Sequence, residues 1–133
     1  MFLFHPMFVH FPIALWTTSF LFDVLYGLTR QPFFHSGSRY LIGLGLLGAA
    51  AAIVMGFVDY RPLVAQGVGQ AFIDVHRIHS FFAYGTTALY AASFWARLRW
   101  RAMPMPVYVG LGLAGAVLIT FTGYLGGEVR GVM

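Results

Sequence analysis

Two histidines open the chain, in the run His5-Pro6-Met7-Phe8-Val9-His10-Phe11-Pro12, and a second pair, His76 and His79, opens another apolar run about seventy residues later. Neutral imidazole is a ligand for iron, copper and zinc. Inside a bilayer a histidine is costly, so four of them converging at one end of a helix bundle define a candidate site. With a rise of ~1.5 Å per residue, His10 lies deeper than His5, and His79 lies one turn deeper than His76 on the same helix face. Depth therefore pairs His10 with His79, and the shallower His5 with His76. Two imidazoles on opposite sides of a porphyrin are the axial ligand set of a b-type haem. On this reading His10 and His79 ligate the iron, and Arg77, between the second pair, holds the propionates, with Arg61 and Arg130 as further partners.

Other readings stand beside this one. A single membrane histidine can serve packing and hydrogen bonding alone. Four imidazoles could also hold one zinc or copper, or a two-metal centre with Asp59, Asp74 or Glu128, and Met7 is available as a soft ligand. His-x-x-His by itself is a weak signal. His35 falls in a connecting loop and reads as a solvated residue.

Composition limits the field. The 133 residues are 59% hydrophobic and 9% charged, with a mean hydropathy of +0.77, far from the balance of a soluble domain. There is no cysteine, which excludes thiolate ligands, iron–sulfur clusters, disulfides and covalent haem attachment. All eight basic residues are arginine and sit at the ends of apolar runs. They read as membrane-flanking charges and not as a nucleic-acid surface. The N-terminus has no basic segment ahead of its apolar run, so it reads as a retained first helix.

A spanning helix needs about 20 apolar residues. The runs predict helices over 7–29, 38–58, 75–97 and 104–126, filling 1–133 as one membrane domain. Arg30 to Gly37, with Pro32 and Gly37, reads as a loop. Pro104 suits a first helical position, and the link from Asp59 to Asp74 has room for a short surface helix. No sequence repeat is evident. The expected fold is all-α, an up-down bundle of four transmembrane helices. One membrane face then carries Asp59, Arg61, Asp74, Arg77, Glu128 and Arg130 and is neutral. The other carries Arg30, Arg39, Arg97, Arg99 and Arg101. The positive-inside rule places the second face in the cytoplasm of a bacterial inner membrane and both termini outside. Trp95, Trp100, Tyr40 and Tyr108 fit an interfacial belt there.

Small residues recur every four positions in the second helix (Gly48, Ala52, Gly56) and the fourth (Gly112, Ala116, Thr120), with Gly43, Gly45 and Gly110 nearby. Such faces allow close helix packing and would also admit a flat ligand. Asp23 is an intramembrane carboxylate whose simplest role is an ion pair with Arg39 or Arg97. Thr17, Thr18 and Ser19 are the polar residues between it and the histidines.

The run His5-Pro6-x-x-Val9-His10-Phe11-Pro12-Ile13-Ala14-Leu15 resembles the opening motif of a family of small bacterial predicted membrane proteins, domain-of-unknown-function family 2231. Asp23, Gly56-Phe57-Val58-Asp59, His79 and Gly126-Gly127-Glu128 resemble its later motifs, in order, over the whole chain. Ala83 or Tyr84 stands where the family often has asparagine, and the tail after Glu128 is shorter. The resemblance implies a four-helix membrane fold and no settled activity. The residues themselves point to a b-type cytochrome subunit, more an electron-transfer part than a standalone enzyme. It would sit within a larger respiratory or photosynthetic redox complex and exchange electrons with cytochrome c or quinol on the outer face. The alternatives are a cofactor-free accessory subunit and a histidine-based copper or zinc protein. No hydrolase or phosphate-binding motif is present.

Overall fold

The computed structural model describes residues 4–132, and the described residues are helical with no strand. The elements are α1 (His5–Phe8), α2 (His10–Thr29), α3 (Pro32–Ala65), α4 (Gln70–Arg99) and α5 (Met105–Gly131). α1 and α2 form one interrupted rod. Pro6 sits in the first turn of α1, where its missing N–H costs nothing. Pro12 cannot donate to the carbonyl four residues back. The ladder loosens there, with Val9 outside both helices and a stretched bond from the Ile13 amide to the Val9 carbonyl at 3.4 Å.

The connections are shorter than the sequence suggests. The expected loop at Arg30 to Gly37 is reduced to Arg30 and Gln31. Arg30 turns the chain in the left-handed region with φ 57°, and Pro32 starts α3 instead of stopping a helix. Gly37 stays helical, and a Cβ there would lie 2.6 Å from the Phe22 ring. α3 also runs past Asp59, through Pro62 in its last turn, to Ala65. The link is then residues 66–69, with Gly67 at φ 81°, so no separate surface helix forms. Pro104 precedes α5 as its N-cap, and Pro106 takes the early helical position.

Each helix touches two neighbours in a ring, with α2 against α3 and α5, and α4 against α3 and α5. α2 and α4 are diagonal partners, meeting only through long side chains. The core is Trp16, Ile42, Ala49, Tyr90 and Ile119. Around it the usual soluble pattern is inverted. Ser19, Asp23, Ser38, Thr86, Ser93, Arg97 and Thr122 are buried, while Leu28, Leu47, Phe81, Val117 and many other large apolar side chains face outward. Burying polar groups and exposing apolar ones suits hydrocarbon as the surroundings.

His5–Thr29, Pro32–Ala65 and Met105–Gly131 are long and apolar enough to cross a membrane. α4 is not among them, so three spans and not four meet that measure. Its 30 residues would reach about 45 Å, but His76, Arg77, His79, Ser80, Thr86, Ser93 and Arg97 lower its hydropathy. The features that make α4 chemically interesting are the ones that weaken its membrane signal.

Candidate functional site

The first four amides of a helix lack helical acceptors. His5 begins α1, and its backbone N–H donates to Asp59 Oδ2 at 2.8 Å. Its ring Nδ1 lies 2.6 Å from the Ala52 carbonyl oxygen. A carbonyl can only accept, so Nδ1 carries the proton, and the tautomer this selects has its lone pair on Nε2. Gly56, one turn beyond Ala52, makes the approach possible, since a Cβ there would stand 3.2 Å from His5 Nδ1.

His79 is buried on α4, and its Nδ1 donates to the Thr122 carbonyl at 3.2 Å. Gly126, one turn beyond Thr122, clears the space, since a Cβ there would stand 3.3 Å from His79 Cε1. The same device serves both rings. Helical Cβ atoms lean toward the N-terminus, so the side chain at i+4 normally stands beside the carbonyl of residue i. Glycine at that position leaves the oxygen open to a second donor. The two rings are 6.0 Å apart between centroids, with planes at 80°.

Both rings line a cavity of about 360 Å³ whose walls include Ile13, Trp16, Ile53, Phe57 and Ile119. That volume lies within the range of small-molecule sites. His10, His76, Asp59 and Arg130 also border it. The pairing by depth is corrected: His79 meets His5, while the His10 residue is exposed. At 3.6 residues per turn, side chains five apart point about 140° away from each other, so His5 and His10 cannot both face the bundle axis. His76 stacks on Tyr60 at 4.2 Å, beside Phe72, and its Nδ1 is 3.4 Å from Ser80 Oγ. Arg77 does not border the cavity. Its side chain is 80% exposed and lies 3.8 Å from Asp74, one turn earlier. Arg130 is the arginine at the cavity edge.

A second polar cluster fills the other end of the bundle. Asp23 and Arg97, both fully buried, form a fork-to-fork pair with two contacts of 2.7 Å. Ser38 donates to Asp23 Oδ1 at 2.5 Å, Arg97 Nε donates to Ser93 at 3.2 Å, and the guanidinium lies 4.0 Å over the Tyr108 ring. Gly112 gives the carboxylate its space. His35 belongs to α3 and not to a loop, half-buried, with Nδ1 3.2 Å from the Tyr108 hydroxyl. Between the two ends, Trp16 and Tyr90 stack at 4.0 Å, and Thr86 bonds Thr122 at 2.9 Å. The glycines of α3 and α5 here receive side chains from neighbouring helices: Gly45 takes Trp16, Gly115 takes Tyr90 and Gly48 takes Phe11 and Pro12.

Among the described residues no three His, Asp or Glu side chains gather closely enough to hold a metal ion. The four-histidine zinc or copper centre is therefore not assembled. What is assembled is a pair of Nδ1-anchored imidazoles beside an apolar cavity. The anchors escape sequence reading because they are backbone carbonyls. Their only trace is a glycine four residues after each one.

A family model described as a predicted membrane protein, DUF2231, matches residues 3–132. Neither a curated protein nor a solved structure matches the chain.

Proposed function

Because the chain belongs to the DUF2231 family of predicted membrane proteins, we propose that it acts within a bilayer as a b-type cytochrome subunit, with one haem held between His5 and His79. The observation that carries this is the matched anchoring of the two rings, Nδ1 to the Ala52 and Thr122 carbonyls, at a centroid separation of 6.0 Å. With metal–nitrogen bonds of about 2 Å, two imidazoles on one metal have ring centres roughly 5–6 Å apart, depending on the angle between them. Hydrogen-bonding the distal nitrogen to a carbonyl fixes the tautomer and raises ligand basicity. The donor set and the apolar walls thus fit a porphyrin iron with two protein ligands. Arg130, at the cavity edge, supplies the positive charge suited to a propionate. Bound there, the haem would supply one-electron transfer, with His5 and His79 as the residues that hold it. The protein's own part is to hold two ligands, exclude water with apolar walls and keep a carboxylate, Asp59, under the entry of His5.

The proposal extends to topology. Helix α4 completes an up-down-up-down set whose polar inner face is covered by α2, α3 and α5. The arginines of the Asp23 end, Arg30, Arg39, Arg99 and Arg101, outnumber its acids once Arg97 is matched with Asp23, which favours a cytoplasmic position for that end. The haem end and both termini would then face outward from the inner membrane, toward a cytochrome c or quinol and a larger redox complex. Purification in detergent followed by a pyridine haemochrome assay and elemental analysis tests the assignment. One haem and one iron per chain are expected. Iron-free protein, or stoichiometric copper or zinc, would overturn it. The cofactor-free case would mark the chain as an accessory subunit.

A further inference from the structure

Adding 74 to the residue number maps the inner face of α1–α2 onto that of α4, and adding 70 maps α3 onto α5. His5 goes to His79, Pro12 to Thr86, Trp16 to Tyr90, Ser19 to Ser93 and Asp23 to Arg97. Each buried position of α2 lands on a buried position of α4. Each buried residue of α3 likewise lands on a buried residue of α5, from Ser38 on Tyr108 through Gly45 on Gly115 to Asp59 on Val129. The seats correspond as well: Ala52 goes to Thr122 and Gly56 to Gly126.

Residues at the centre touch their own counterparts. His5 faces His79 at 6.0 Å, Trp16 stacks on Tyr90 at 4.0 Å and Asp23 pairs with Arg97 at 2.7 Å. Contact between equivalent positions is the signature of a two-fold axis, here running along the bundle between α2 and α4. The departures have physical reasons. Two like charges cannot share a buried point on an axis, and the Asp/Arg exchange turns that repulsion into an ion pair. α4 begins nine residues before His79, so the His79 amide is satisfied within its helix. α1 begins at His5, and Asp59 stands in for the missing acceptor.

We infer that the chain is a fused pair of equivalent helix hairpins and that its ligand lies on the axis between them, gripped alike from both sides by a histidine, a carbonyl and a glycine. This rests on the haem reading and narrows it. A site with two equivalent jaws selects a flat metal chelate with two like axial faces, a metalloporphyrin, over a ligand held from one side such as a quinol. It also makes Gly56 and Gly126 positioning residues of equal rank.

The test uses the full-length protein in detergent, titrated with haemin and followed by absorption and electron paramagnetic resonance spectra. His5→Ala and His79→Ala should each convert low-spin ferric haem to the same high-spin form, and added imidazole should restore the low-spin signal in both, which only an intact cavity allows. Gly56→Ala and Gly126→Ala should each weaken haem binding by roughly 10- to 100-fold, as loss of an outer hydrogen bond to a ligand does, and by matching factors, with midpoint potentials displaced in the same direction. Haem bound with one histidine dispensable, or glycine effects differing tenfold or of opposite sign, would overturn the two-jaw site while leaving haem binding in place. No uptake of haemin by the unmodified protein would overturn the haem reading itself and the ligand class with it.

Discussion

His5 and His79 are held by oxygens that cannot be mutated, so their orientation is tested through the rings. The pair that meets across the bundle is His5 with His79, and His10 is exposed. Spectra of purified variants should therefore lose the bis-imidazole form in His5→Ala and His79→Ala and retain it in His10→Ala. Loss in His10→Ala with retention in His5→Ala would restore the pairing by depth. At the other end, the Asp23 and Arg97 side chains have no exposure, and among the described residues each is the other's salt-bridge partner. Removing one partner strands a buried charge, which costs about 3–5 kcal/mol. Arg97→Leu should therefore unfold at markedly lower temperature in detergent. The double change Asp23→Leu/Arg97→Leu should recover much of the loss, because neither charge remains to be desolvated. A double variant as unstable as the single one would show that the pair contributes more than charge balance.

At the scale of the element, the inner face of α4 alternates functional and packing residues, and its neighbours supply glycine where its rings are largest. Tyr90 lies against Gly115, where a Cβ would fall 2.6 Å from the ring. Its hydroxyl is a buried polar atom without a hydrogen-bond partner among the described residues. Gly115→Ala should destabilise by about 1–3 kcal/mol, the usual cost of overpacking, read from thermal unfolding in detergent. Gly110→Ala, which meets open space, should not. These elements also show what the sequence disclosed. Hydrophobic runs located all the long helices, because composition alone dictates them. Helix ends were less legible. Pro32 and Pro62 are stop signals in most contexts, yet one begins α3 and the other sits in its final turn. Depth along a helix was legible from rise per residue, but facing was not, since His5 and His10 are separated by about 140° of rotation. The ion pair of Asp23 was legible down to two candidates, Arg39 and Arg97, because a buried carboxylate calls for a nearby cation, and packing selects Arg97. The Ala52 and Thr122 anchors were not, because every residue has a carbonyl. The likeness between halves hid for a related reason. It resides in which positions are buried, while the side chains there differ, as Asp23 and Arg97 or Ser38 and Tyr108 do.

For the whole molecule, the proposed four-span topology makes a direct claim. The chain lacks cysteine, so single cysteines introduced at Val68 and Ala102 are unique labels in the 66–69 and 100–104 connections. In intact cells an impermeant maleimide should modify the first and not the second. The reverse pattern would invert the orientation, and labelling of both would remove α4 from the set of spans. Two anchored imidazoles holding one haem would show most directly in the reduced-minus-oxidised visible spectrum of the purified protein. A Soret band with the sharp paired α and β bands of low-spin b-type haem is predicted, unchanged by carbon monoxide if His5 and His79 both hold the iron. A spectrum with no absorbance beyond that of the aromatic side chains would contradict it.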